Sequence, residues 1–206
     1  MDRTHETGRI EAFSDGVFAI AITLLVIEIK VPIHEQVQKI GLLKALLDLW
    51  PSYLAFITSF ATILVMWVHH HWVFVLVKKY DHLLCYLNGL LLLFVTFIPF
   101  PTALLAEYLL YPDAGIAANI YTGIFLAISL SFDMLWRHAS IFLLENKAIP
   151  DKKEAAIEIT KHYRFGPPLY LLAFGMSFIS EPLSLAMCLL LALFFALHGW
   201  PFRETL

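Results

Sequence analysis

Charge is scarce in this chain. Only 15% of its 206 residues are Asp, Glu, Lys or Arg, where an ordinary soluble domain carries about 25%. Apolar residues make up 60% and the mean hydropathy is +0.75, against about 45–50% apolar in soluble domains. That balance excludes a sizeable soluble domain and predicts an all-α, polytopic membrane protein. Cysteine is nearly missing: Cys85 and Cys188 both stand in apolar runs, as buried reduced thiols do, rather than as disulfide or metal-site partners. A basic excess is also lacking, and the net charge of −3 removes nucleic acid as a partner. No basic region precedes the first apolar stretch; acidic residues stand there, so it does not read as a cleavable signal. There is no low-complexity tract and no second copy of the opening motif, so residues 1–206 read as a single repeat.

What the chain does have is apolar stretches of membrane-spanning length, about 20 residues each. Six are expected, roughly at 10–29, 52–77, 83–105, 116–136, 165–180 and 182–200. The fifth is short, and its separation from the sixth rests on Ser180, Glu181 and Pro182. Basic residues orient the chain, because cytoplasmic loops carry the excess of Lys and Arg. A cytoplasmic N-terminus places eleven of them inside: Arg3, Arg9, Lys78, Lys79, Arg137, Lys147, Lys152, Lys153, Lys161, Arg164 and Arg203. Only Lys30, Lys39 and Lys44 then lie outside. Both termini are therefore expected in the cytoplasm, with an even number of crossings.

Between the first two spans, Ile33, Val37, Ile40, Leu43 and Leu47 recur at three or four, which predicts a short amphipathic helix on the outer face. The second span ends with three consecutive histidines, His69 to His71. Neighbours on a helix point about 100° apart, so three in a row do not converge on one ion as an i, i+4 pair does. No metal site is expected there. The third span carries Asn88 and meets Pro99 and Pro101, where a kink or an end is predicted near the outer face. In the fourth, Asp133 and Arg137 are spaced to pair on one helix face.

The first span, RIEAFSDGVFAIAITLLVIEIK from Arg9 to Lys30, is the most informative. As a helix it aligns Gly16, Ile20, Thr23, Ile27 and Lys30 along one stripe. One mid-span hydroxyl flanked by branched apolar residues suits a helix that lines a narrow path better than one facing lipid. Arg9, Glu11 and Asp15 open the segment, either as a solvated entrance or as a buried network tying it to its neighbours.

Arg9, Phe13, Ser14 and Asp15 together spell RxxxFSD, and Trp67 and His70 spell WxxH late in the second span. This pairing resembles the transmembrane protein 175 family, the endosomal and lysosomal potassium channels and their bacterial relatives. The resemblance implies a potassium channel of six-helix repeats whose first helix lines the pore, with single-repeat members assembling as homotetramers. It implies a hydrophobic gate at Ile20, a pore threonine at Thr23 and a further apolar constriction at Ile27. It also implies a structural network of Arg9 with Trp67 and His70, with Phe13, Ser14 and Asp15 packing the inner end. No enzyme activity and no cofactor follow; the partners are the bilayer, potassium ions and copies of the chain. With one repeat, a bacterial plasma membrane is the expected location.

No TVGYG-like segment is present, so no ring of backbone carbonyls can replace the hydration shell of potassium. A ring of isoleucines impedes ions by dewetting, and threonine hydroxyls one turn outward offer the only nearby ligands. No arginine ladder argues for strong voltage gating. Lys30 is expected to turn away from the path and pair with Glu28 or Glu35. Two rival readings are a proton-coupled transporter relaying through Asp15 or Asp133, and a membrane metalloenzyme using His69, His70, His71, Asp133 and His138. The first lacks an inverted repeat and mid-membrane breaks; the second lacks ligand spacing.

Overall fold

The computed structural model describes residues 5–77, 79–145, 157, 159–161 and 163–198. Apart from a two-residue antiparallel pairing of His5–Glu6 (β1) with Lys79–Tyr80 (β2), its regular elements are helices. Residues 146–156, between the fourth and fifth expected spans, and the residues after His198 lie outside the described residues.

The first helix, α1, spans Gly8–Leu24 and tightens into a 3-10 turn over Leu25–Glu28. The branched residues Val26, Ile27 and Ile29 crowd a helix, and by Ile29 the backbone is extended (φ −82°, ψ 95°). The expected outer amphipathic helix is two helices, α2 (His34–Ile40) and α3 (Leu42–Leu47). Gly41 sits between them at φ 82°, a conformation that only glycine adopts without strain, and so breaks the run.

The long spans follow. α4 runs Trp50–Leu76, with Pro51 in its first turn where no backbone donor is needed. α5 (His82–Phe97) passes through Ile98, itself helical (φ −55°, ψ −39°), into α6 (Pro99–Tyr108). Both prolines fall in the first turn of α6, so the chain continues after a joint instead of ending. α7 extends over Ala114–Glu145. Two shorter helices complete the described fold, α8 (Gly166–Ser177) and α9 (Glu181–His198).

Four stretches are long and apolar enough to cross a bilayer: Gly8–Glu28, Trp50–Leu76, His82–Tyr108 and Ala114–Ile141, of 21 to 28 residues. At about 1.5 Å per residue each reaches or exceeds about 30 Å. α8, with 12 residues, falls short by length alone.

Two helices organise the packing. α7 lies against α5, α6, α8 and α9, and α4 lies against α1, α6 and α9. Their contact faces bury Tyr121, Phe125 and Trp136 on α7 and Ile63 and Phe74 on α4. Buried hydroxyls pair across the same seams: Ser59 Oγ lies 2.7 Å from Thr102 Oγ1 and 2.9 Å from the Tyr121 hydroxyl. α1 packs chiefly on α4 and α5, with its 3-10 end against α4 and α6, and stands at the edge of the described fold.

Candidate functional site

α1 has two distinct faces. Ser14, Phe18, Ala21 and Leu25 are buried against the rest of the fold. On the other side Gly16, Ile20, Thr23 and Ile27 are exposed, Ile20 at 59% and Ile27 at 69%. Thr23 donates its hydroxyl hydrogen back to its own helix, 2.9 Å from both the Ala19 and Ile20 carbonyl oxygens. Its oxygen lone pairs are left pointing off the helix, so Thr23 can accept but not donate outward.

The N-terminal end of α1, the inner end in the expected orientation, is held by side chains from α4 and α5. Trp67 Nε1 donates to Asp15 Oδ1 at 2.8 Å. One turn deeper His70, 1% exposed, donates through Nε2 to Asn88 Oδ1 at 2.8 Å. Asn88 Nδ2 in turn donates to Ser14 Oγ at 3.0 Å. The oxygen of Asn88 only accepts and its nitrogen only donates, so this chain of bonds runs in one direction, from His70 to α1. Aromatic rings enclose it: His70 lies 5.3 Å from Phe18 and 4.7 Å from Phe74, centroid to centroid.

Asn88 is the member that sequence reasoning did not place in the network. Its signal was a lone amide in the apolar run from Leu83 to Phe97, since a buried amide in a membrane helix needs partners. Arg9 and Phe13 are exposed, and both line an open pocket with Tyr80, Cys85 and Asn88. Among the described residues no hydrogen bond joins Arg9 to Trp67 or His70. The structure thus brings Ser14, Asp15, Trp67 and His70 together and leaves Arg9 beside them, on the same end of α1.

The three histidines separate as helix geometry requires. His69 faces the Tyr163 hydroxyl at 2.9 Å and the Phe195 carbonyl at 3.3 Å. His70 faces α5 and α1, while His71 is exposed and stacks on Trp67 at 6.3 Å. No group of three or more His, Cys, Asp or Glu side chains converges among the described residues. Asp133 and Arg137 do pair, Nε to Oδ2 at 2.6 Å.

Two further polar contacts bracket the site. At the inner end His138 Nε2 lies 2.9 Å from Asp81 Oδ1, and Asp81 caps α5 by accepting from the Leu84 N–H at 2.8 Å. Partial burial pushes the Asp81 carboxyl up, but the Leu84 N–H and His138 outweigh it and hold it below its usual value. At the outer end Lys30 Nζ reaches Glu107 Oε2 at 3.4 Å. Neither Glu28 nor Glu35 takes that role, because the helix ends at Leu24 and the 3-10 turn carries Lys30 off the stripe toward α6. Glu35 pairs with Lys39 instead, at 2.6 Å.

Comparison with known proteins places this arrangement. A family model described as "Endosomal/lysosomal potassium channel TMEM175" matches residues 9–99, the stretch that carries α1, α4 and α5. A potassium channel of Chamaesiphon minutus is 63% identical over 196 residues, covering 94% of this chain and 95% of its own length. A potassium channel of Streptomyces collinus is 43% identical over 200 residues, covering 96% and 95%. Among solved structures, the crystal structure of a lysosomal potassium-selective channel TMEM175 homolog from Chamaesiphon minutus superposes with a TM-score of 0.86. It shares 61% identity and covers 94% of this chain and 97% of that one. These relatives are named as channels rather than enzymes, and their names indicate no cofactor. With such identity along nearly the whole of both chains, and with the motif residues meeting at the base of one edge helix, the chain belongs to the TMEM175 family.

Proposed function

We propose that the chain forms a homotetrameric, potassium-permeable channel of a bacterial plasma membrane, with α1 from each subunit lining the path. The observation that carries this reading is the exposed face of α1. A helix at the subunit's edge that buries Phe18 and Leu25 on one side leaves Ile20, Thr23 and Ile27 uncovered on the other. Lipid has no use for the hydroxyl in that row, whereas copies of the same face around an axis do. The potassium channels among the relatives support a cation as the permeant species.

In this reading Ile20 forms the narrowest apolar ring and impedes ions by dewetting, and Ile27 forms a second. Thr23, between them, turns its lone pairs to the path and supplies oxygens to a partly dehydrated cation. With hydroxyls in place of a carbonyl cage, preference for potassium over sodium is modest. Arg9, Phe13, Ser14, Asp15, Trp67 and His70 fix the inner end of α1 and do not coordinate ions. α8 and α9 supply the fifth and sixth crossings, with both termini cytoplasmic, and local thinning of the bilayer accommodates the shortness of α8.

The test is cation flux into liposomes holding the purified protein, under potassium and then sodium gradients, beside the Ile20→Asn variant. The wild type passes potassium faster than sodium. Replacing an apolar ring with amides raises the flux and narrows the difference between the ions. Unchanged permeability in the variant removes Ile20 from the constriction; no flux from either protein in intact tetramers overturns the channel reading.

A further inference from the structure

A second feature lies away from the proposed path. Between α4, α7, α8 and α9 is a cavity of ≈ 60 Å³, and no residue of α1 lines it. Gly166 on α8 and Ala192 on α9 are the small members of its wall. Rings form much of the rest: Phe125 lies 6.3 Å from Tyr170, and Phe132 meets Tyr163 edge-on at 5.1 Å, centroid to centroid. Interiors rarely leave voids larger than a water molecule, so a gap among buried rings asks for an occupant.

The wall makes no polar demand on that occupant. Thr62 donates to the Thr58 carbonyl at 2.8 Å, and Asp133 Oδ2 accepts from Arg137 Nε at 2.6 Å. His69 is held between the Tyr163 hydroxyl at 2.9 Å and the Phe195 carbonyl at 3.3 Å. Ser129 and Tyr170 add one hydroxyl each, and among the described residues no buried side-chain nitrogen or oxygen lacks a partner. A trapped water makes about 2–4 hydrogen bonds to groups that would otherwise be unsatisfied. This wall has no buried group in that state, so neither water nor an ion is called for. A cavity of that kind stays dry and takes an apolar guest.

Size then limits the guest. The volume of ≈ 60 Å³ exceeds the roughly 10–15 Å³ that one water needs and is less than half of the roughly 150 Å³ that admits benzene. A molecule of very few heavy atoms matches, and it gains dispersion contacts from carbon on every side. α4 and α7 are of membrane-spanning length, so the guest arrives from the hydrocarbon of the bilayer, where apolar solutes concentrate.

We propose that this cavity binds a compact apolar molecule dissolved in the bilayer, of the size of xenon or cyclopropane. The guest lies against Phe125, Phe132 and Tyr170 and makes no hydrogen bond. The site is complete within one subunit and does not depend on the conduction reading.

The experiment is thermal unfolding of the purified full-length protein in detergent under rising xenon pressure, with nitrogen at equal pressure as the comparison. Wild-type Tm rises saturably with xenon, as for any ligand held only by the folded state, and does not rise with nitrogen. Ala192 is 2% exposed, and Ala192→Leu, which fills the space, loses the rise in the same micelles. Anomalous diffraction from xenon-pressurised crystals gives the position, with a peak expected beside Phe125 and Phe132. An equal rise in wild type and Ala192→Leu overturns the proposal, because xenon then acts on the micelle or elsewhere on the fold. Where that variant does not fold, the crystals decide alone. No peak in the cavity, or a water or the end of an acyl chain in its place, overturns the proposal.

Discussion

The two ends of α1 are held in opposite ways. At the inner end, Ser14, Asn88 and His70 form a buried relay of neutral hydrogen bonds, at 0%, 3% and 1% exposure. At the outer end, Leu25 is buried where the 3-10 turn packs on α4 and α6, and the polar hold is the exposed ion pair of Lys30 with Glu107, with side chains 71% and 56% exposed. Buried relays are costly to break, because each orphaned group loses its bond without gaining water. Exposed pairs contribute about 0–1 kcal/mol and weaken with salt. The polar hold on α1 is therefore firm at its base and adjustable only beyond the 3-10 turn, at Lys30.

Breaking the inner anchor gives the largest expected effect. Asn88→Ala removes the shared partner and leaves both the His70 N–H and the Ser14 hydroxyl buried and unpaired. At about 1–3 kcal/mol for each of the two orphaned groups, a loss of about 2–6 kcal/mol is expected. The measurement is urea or thermal unfolding in detergent. A loss under about 0.5 kcal/mol, the size of an ordinary surface substitution, shows that the relay does not carry the load. Replacing all three partners with apolar residues of similar shape sharpens the point, since that variant recovers most of the loss.

Asp81 is a smaller support at the same end. Its carboxylate caps α5, the helix that carries Asn88, and pairs with His138. Asp81→Ala costs about 1 kcal/mol at neutral pH, the usual value of a lost helix cap. The pH dependence follows from the direction of the shift. The folded carboxyl titrates below the ordinary value of 3.8, so its contribution is complete above that value and fades as pH falls through the folded one. Unfolding measured from pH 7 down to pH 3 therefore shows the wild type and the variant converging in acid. A gap that stays constant assigns the effect to packing instead.

Much of the inner anchor was legible in the sequence. The RxxxFSD and WxxH resemblance grouped Arg9 with Trp67 and His70 and set Phe13, Ser14 and Asp15 beside them; Ser14, Asp15, Trp67 and His70 lie at one end of α1, while Arg9 makes no hydrogen bond to Trp67 or His70 among the described residues. The helical period set Ile20, Thr23 and Ile27 on one stripe, which is exposed. Helix geometry alone dispersed the three histidines. Asn88 escaped because a motif names residues on its own helices, while a relay also recruits whatever polar group a third helix brings alongside. Gly41 escaped because an apolar period of three or four hides a single positive φ. Pro99 and Pro101 marked the joint where α5 ends at Phe97 and α6 begins, and the chain stays helical beyond it because prolines in a first turn lack only donors that such a turn does not use. Glu107 was invisible for a different reason. It is 77 residues from Lys30, and the pairing depends on α1 tightening into a 3-10 turn and ending early.

That early ending makes the outer pair the place where a small energy yields a readable change. In the tetramer proposed above, each subunit brings one Lys30 to the outer mouth, and Glu107 holds it toward α6. Glu107→Gln removes the negative partner and leaves the lysine free to swing toward the path. Stability changes by only a few tenths of a kcal/mol. Uncompensated positive charge at a mouth lowers the local cation concentration, so potassium entry from the outer side falls, most at low ionic strength. Lys30→Gln added to Glu107→Gln restores entry, and Lys30→Gln alone leaves it close to wild type. Raising the salt from 10 mM toward 1 M shortens the screening length from about 30 Å to about 3 Å and erases the difference between all four proteins. If Lys30→Gln alone instead enlarges entry several-fold, the lysine already faces the path with Glu107 present, and the outer end of α1 is held by something other than this pair.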